Sequence, residues 1–99
     1  MENKIQVRHI EIGGKKVLGV TIPTPNSNLL MVSTPKGYIM CGYLNIETAE
    51  RLGDCAAVVK GVKNLDELLE GRVVEITNSA KKSGIKIGMK GIKALSKII

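Results

Sequence analysis

The sequence predicts an α+β domain: a small, antiparallel-rich mixed sheet of about five strands, with three to four short helices in the C-terminal half. Three observations carry that expectation. The first forty-odd residues divide into short apolar runs punctuated by glycine and proline turns. Capped helical segments begin only after Asn45, so strands and helices are segregated rather than alternating. Ninety-nine residues sustain one core, because a chain of this length buries roughly 60 to 65% of its unfolded surface, and residues 1–99 are read as a single domain.

Residues 4–12 alternate as Ile5, Val7, then Ile10, Ile12, and the phase slips near His9, which predicts a strand with a bulge. Gly13-Gly14 supplies a tight hairpin turn, and residues 15–22 return as a second strand. Two prolines in residues 23–28 make that stretch a loop. Residues 29–32 and 38–43 are apolar runs about the turn Pro35-Lys36-Gly37, a second hairpin. Asn45 caps a helix over 46–52 that Gly53 ends, and residues 55–60 read as a further strand. Asn64 caps a helix over 65–70, with Asp66 and Glu67 complementing its dipole. Residues 72–77 have strand propensity, but Val73, Ile76, Thr77 and Ala80 recur at helical spacing, which favours a helix over 72–83 with a strand as the alternative. A last amphipathic helix is expected over 89–99, with Ile92, Leu95, Ile98 and Ile99 on one face.

Composition bounds the function. The chain is 43% apolar and 24% charged, an ordinary globular balance, but it has no Phe or Trp and only two Tyr. Its core is therefore built from aliphatic side chains that bury less area each, and association into a homodimer or small oligomer is an expected supplement. Cys41 and Cys55 read as free thiols, and two Cys with one His offer no zinc-ligand spacing. No secretory segment follows Met1, and the apolar runs fall far short of the ~20 residues that span a bilayer. The expectation is a soluble cytoplasmic protein without a membrane partner.

Charge is distributed unevenly. Residues 1–80 carry nine basic and nine acidic side chains, so the net +6 comes entirely from Lys81, Lys82, Lys86, Lys90, Lys93 and Lys97. One reading is a solvated terminal helix whose lysines complement its dipole. The other is an electropositive strip for an anionic small molecule or an acidic partner. The first reading is preferred; Gly88-Met89-Lys90-Gly91 lends the second some support, since glycines ahead of a helix leave backbone donors for an anion, but the spacing matches neither a P-loop nor a dinucleotide fingerprint. Nucleic acid is disfavoured, because the strip has no Arg to read bases and no aromatic ring to stack on them.

Cys41 is the candidate catalytic residue. It ends a predicted strand beside Gly42, where a side chain can meet both solvent and ligand, and His9 is the chain's one neutral base for a thiolate nucleophile. The alternative is a buried structural thiol. The carboxylate pairs Asp66/Glu67 and Glu47/Glu50 lie at helix starts and are explained by the dipole.

Lys36-Gly37-Tyr38-Ile39-Met40-Cys41-Gly42, Gly61-Val62 leading to Leu65, Leu68 and Leu69, and Gly84-Ile85 followed by Gly88-Met89, Gly91 and Ala94-Leu95 together resemble the YunC-like family of small bacterial and archaeal proteins. The resemblance runs from about Leu29 to the end. It implies a compact α+β domain, draws attention to Cys41 and Gly42, and implies no substrate or cofactor. Three functions follow in order: a domain binding a small anion or a protein partner around Cys41-Gly42 and the turn of Gly88, Met89, Lys90 and Gly91; a thiol-dependent enzyme using Cys41; and a weak nucleic-acid binder.

Overall fold

The structure is a computed structural model describing residues 4–99. Its centre is a six-stranded sheet in which the strands lie side by side in chain order. They are β1 (Gln6–Ile12), β2 (Lys15–Pro23), β3 (Asn28–Ser33), β4 (Tyr38–Met40), β5 (Ala56–Val59) and β6 (Val73–Ile76). All neighbours are antiparallel except β4 and β5, which run parallel and are joined through helix α1 (Ile46–Leu52). A parallel pair needs such a crossover, because a tight turn can only reverse the chain. Helices α2 (Leu65–Glu70), α3 (Asn78–Lys82) and α4 (Gly91–Ser96) complete the α+β architecture.

The two faces of the sheet are covered unequally. The front face carries the main core, in which Val17, Leu30, Val32, Ile39 and Val59 meet Leu65 and Leu68 of α2, Ala80 of α3 and Leu95 of α4. On the back, α1 covers β4 and β5 with a small cluster of Met40, Ala49, Ala56 and Val58. Among the described residues no helix covers the rest of the back face.

The helix caps fall where the sequence places them. Asn45 accepts the Thr48 N–H at 3.1 Å and Asn64 accepts the Glu67 N–H at 2.8 Å, each satisfying an orphan donor of the first turn. Gly53 ends α1 at φ +79°, a left-handed cap that suits glycine.

Three local expectations are corrected. Residues 72–83 are not one helix: β6 comes first, and Thr77 then caps α3 by accepting the Ala80 N–H at 3.2 Å. The misleading spacing has a cause. Val59 pairs with Val73 and Val58 with Glu75, so an extra residue, Val74, bulges out of the ladder and leaves Val73 and Ile76 facing the same core three positions apart. This strand also raises the count from five to six.

Near His9 there is no bulge, since β1 pairs with β2 without interruption. The slip in alternation is an exchange of faces: Ile10 and Ile12 pack on the front core, whereas Val7 lies on the back and is exposed. The final helix is shorter than 89–99, because Lys90 is held extended by a bridge to Arg72 and Gly88 takes φ +92°. Beyond α4 the chain is clasped to the sheet, with the buried Thr34 hydroxyl 2.9 Å from the Ile98 carbonyl.

Candidate functional site

The carboxyl ends of the parallel strands β4 and β5 open side by side, and the start of β3, antiparallel to β4, comes down to the same edge. Sequence therefore delivers three segments to one place: Ser27-Asn28 entering β3, Cys41-Gly42-Tyr43 leaving β4, and Gly61-Val62-Lys63 following β5. They wall an open groove of about 420 Å³, within the range of small-molecule sites.

Cys41 extends the β3–β4 ladder by one residue, its N–H donating to the Leu30 carbonyl at 3.0 Å. Its Sγ accepts the Leu30 N–H at 3.2 Å, so the thiol is a wall of the groove that is only 3% exposed yet has a polar neighbour. Cys41 thus holds Leu30 at both its N–H and its carbonyl, which fixes the thiol in position. The chain then turns, with the Leu44 N–H donating to the Cys41 carbonyl at 3.3 Å.

Among the described residues, four that line the groove, Gly42, Tyr43, Gly61 and Val62, have both a backbone N–H and a carbonyl without a protein partner, and Lys63 is the one charged side chain on the wall. Among the described residues no carboxylate or imidazole lines it. Asn28 Nδ2 donates to the Lys63 carbonyl at 2.8 Å, tying the first segment to the third. The Lys63 N–H in turn donates to Glu67 Oε1 at 2.8 Å, so the loop after β5 is anchored to α2. Gly61 takes φ +76°, a conformation L side chains rarely adopt. Tyr43 reaches across to Thr24, hydroxyl to hydroxyl at 2.9 Å, which holds the turn of residues 24–27 beside the rim.

His9 is not part of this site. It pairs through Leu18 and Ser33 to the level of Tyr38, three strands away and short of Cys41 along the strand direction. At ~4.8 Å per strand that separation is roughly 14 Å before the offset along the strands is added. Alternation also puts His9 on the back of the sheet, whereas Cys41 belongs to the front core.

The turn from Gly88 to Gly91 lies elsewhere, and the two surfaces singled out in the sequence are separate grooves. Met89 and Lys90 line a second depression of about 650 Å³ with an apolar floor of Ile12, Met89 and Ile92 and a rim of Arg72, Lys86, Lys90 and Lys93. The glycines here serve the backbone. The N–H of Gly88 donates to the Val73 carbonyl at 2.8 Å, that of Met89 to Lys86 at 3.2 Å, and that of Gly91 to Gly71 at 2.9 Å. These donors are turned inward, contrary to the expectation of an anion cradle. A Cβ on Gly91 would press on the Leu68 carbonyl, so glycine stands there to let α4 approach α2. Lys90 is paired with Glu70 at 3.2 Å, with the Lys90 side chain about half exposed and that of Glu70 about two-thirds exposed.

The remaining thiol, Cys55, is buried and 3.7 Å from the Ser83 hydroxyl, away from the first groove. Of the residues lining this groove, the sequence singled out Cys41 and Gly42 as candidates, whereas Asn28 fell in a loop, Gly61 entered only through the family resemblance and Lys63 was not singled out. Their signal was weak: a turn-forming Asn and a glycine just past a strand are also what any loop contains.

Comparison with known proteins decides the ancestry of this arrangement. Residues 40–98 match the family described as "Domain of unknown function (DUF1805)". Over 99 aligned residues, spanning 96% of this chain and 98% of the relative, the sequence is 34% identical to the protein "Uncharacterized protein YunC" of Bacillus subtilis (strain 168). The chain belongs to the YunC-like DUF1805 family. Its fold matches the crystal structure of a protein of unknown function, TA1206 of Thermoplasma acidophilum, with a TM-score of 0.94 and 40% identity, covering 100% of this chain and 97% of that one. The DUF1805 match starts within the string that contains Cys41 and takes in the lining of both grooves except Ser27 and Asn28 of the first and Ile12 of the second. Among the described residues no helix is long and apolar enough to cross a membrane.

Proposed function

We propose that this YunC-like chain is a binding domain that takes a small molecule carrying an anionic group in the groove at the carboxyl ends of β4 and β5. One observation carries the reading: among the described residues, Lys63 is the one charged residue lining the Cys41 groove, no acidic residue lines it, and Gly42, Tyr43, Gly61 and Val62 there have backbone N–H groups free to bind a ligand. Backbone N–H groups aimed at an anion need no side-chain reorganisation, and an ammonium nearby adds charge complementarity. The Cys41 sulfur contributes a soft, fixed wall rather than a nucleophile in this reading. Thiol catalysis needs a base within hydrogen-bond reach, and His9 is on the wrong face. The two free buried thiols suit the reducing cytoplasm in which we place the protein.

The test is a backbone amide NMR titration with inorganic phosphate, acetate and a 2-oxo acid as separate probes. Saturable shifts centred on Gly42, Tyr43, Gly61 and Val62 are expected for at least one probe, and Lys63→Gln should weaken them severalfold. Shifts confined to the lysines beyond residue 80, or none in these four amides, would refute the assignment.

A further inference from the structure

We propose that the bare back face of β1–β3 is the surface through which two copies of this chain associate. Cross-strand pairing aligns Val7 with Val20 and Val20 with Met31, a continuous apolar row across three strands, and Leu18 and Ile22 flank it on the same face. Val7 is 62% exposed, and Leu18 and Ile22 are each more than a third exposed. Leu52 of α1, 71% exposed, borders the same surface beside Met31 and Met40. A contiguous apolar patch of this kind on one side of a sheet marks a contact surface, unlike single exposed aliphatics. The sequence foreshadows it, since the change of phase at His9 is what turns Val7 away from the core.

Charge identifies the occupant as a second copy. The chain carries +6, all from lysines after residue 80, and those in α3 and α4 lie over the front of the sheet, where Ala80 and Leu95 join the main core. Two copies meeting front to front would bring like charges together. On the back face of β1–β3 the charged residues are Glu11 and Lys16, which are cross-strand partners and sum to zero. A twofold pairing of back faces is therefore neutral and self-complementary, and it leaves the lysines on the two outer sides.

Area sets the strength of the contact. Strands of six to nine residues at ~3.3 Å per residue and ~4.8 Å apart give a footprint of roughly 15 by 25 Å, or about 375 Å². That is under half of the ~800 Å² per partner of a standard stable interface, so β1–β3 alone make a weak dimer and the flank of α1 must join the contact for a stable one. Two such faces stacked ~10 Å apart form a sandwich with an aliphatic interior.

The experiment is sedimentation equilibrium of the full chain from about 1 to 100 µM, a range that separates weak from stable association. A species of twice the 10.6 kDa chain mass is expected, converting to monomer in Val7→Lys/Ile22→Lys with an unchanged far-ultraviolet spectrum. Val7→Lys alone, at a site already open to water, should raise the dissociation constant at least tenfold and serves if the double variant misfolds. Lys93→Glu, on the opposite side, should leave the dimer intact. A wild-type monomer throughout the range, or a dimer indifferent to both back-face variants, would overturn the proposal. Loss of the dimer in Lys93→Glu would instead locate the contact on the front.

Discussion

Replacing Gly91 by alanine tests whether the glycines around α4 are there for packing. The added methyl would meet the Leu68 carbonyl, with the Leu69 carbonyl and Ile39 Cδ1 each at 3.2 Å. Ile39 has a rotatable end that can give way, but two backbone carbonyls in α2 cannot, so α4 must shift outward and strain the 2.9 Å bond from Gly91 N–H to Gly71. Overpacking of this kind costs about 3 kcal/mol, and the better helix propensity of alanine returns somewhat under 1. A net loss of about 2 kcal/mol lowers Tm by roughly 8 to 16 °C in a domain of this size. Urea unfolding should show it as a shifted midpoint with an unchanged slope. The control is Gly88→Ala, where nothing lies within 4 Å of the new methyl and the φ of +92° is the only difficulty, costing about 1 kcal/mol. If Gly91→Ala stays within about 0.5 kcal/mol of wild type, or Gly88→Ala is the worse of the two, the packing argument fails.

Three further outcomes follow from buried polar contacts. Thr77 Oγ1 accepts the N–H groups of Ala56 and Ala80 in a site 2% exposed, so Thr77→Val should lose about 2 to 3 kcal/mol by calorimetry, and Thr77→Ser should recover most of it. Burial, with the hydrogen bond to Asp54 at 2.6 Å second, pushes the Tyr38 phenol up to about 12. The unfolded phenol ionises near 10, so its contribution is complete below pH 10 and is lost as pH rises through 12; Tyr38→Phe should remove the ultraviolet titration step near 12 and cost about 1 kcal/mol at neutral pH. Cys41→Ala strips the Leu30 N–H of its acceptor and should cost about 1 to 2 kcal/mol in urea. In the wild type, alkylation at neutral pH should be far slower in native than in unfolded protein, and rapid native labelling of Cys41 would revive the nucleophile reading.

The α+β class, the positions of β1 through β5 along the chain and both asparagine caps were legible in the sequence, because each depends on chemistry within a few residues. Asn45 and Asn64 need only the N–H three positions on. What was not legible depends on distant partners. β6 is a strand because β5 offers it a free edge, and its bulge at Val74 imitates helical spacing. Lys90 looks helical until Arg72 holds it extended. The groove was half visible for the same reason: Cys41 and Gly42 stand in a distinctive string, whereas Lys63 and Asn28 join them only through the parallel pairing of β4 with β5 and the bond from Asn28 to the Lys63 carbonyl.

The order of elements along the chain has a consequence for biosynthesis. The meander β1–β3 emerges from the ribosome first, and the helices that cover its front, α2 and α4, are translated only after residue 64. At ~5 to 20 residues per second the growing polypeptide holds a three-stranded ribbon, greasy on both sides, for some seconds before its lid exists. Chains on neighbouring ribosomes can meet through the side that never receives a helix, so pairing of nascent ribbons is compatible with the finished architecture, whereas pairing through the other side blocks α4 from docking. Discriminating between those two sides is thus a task this fold faces before synthesis ends.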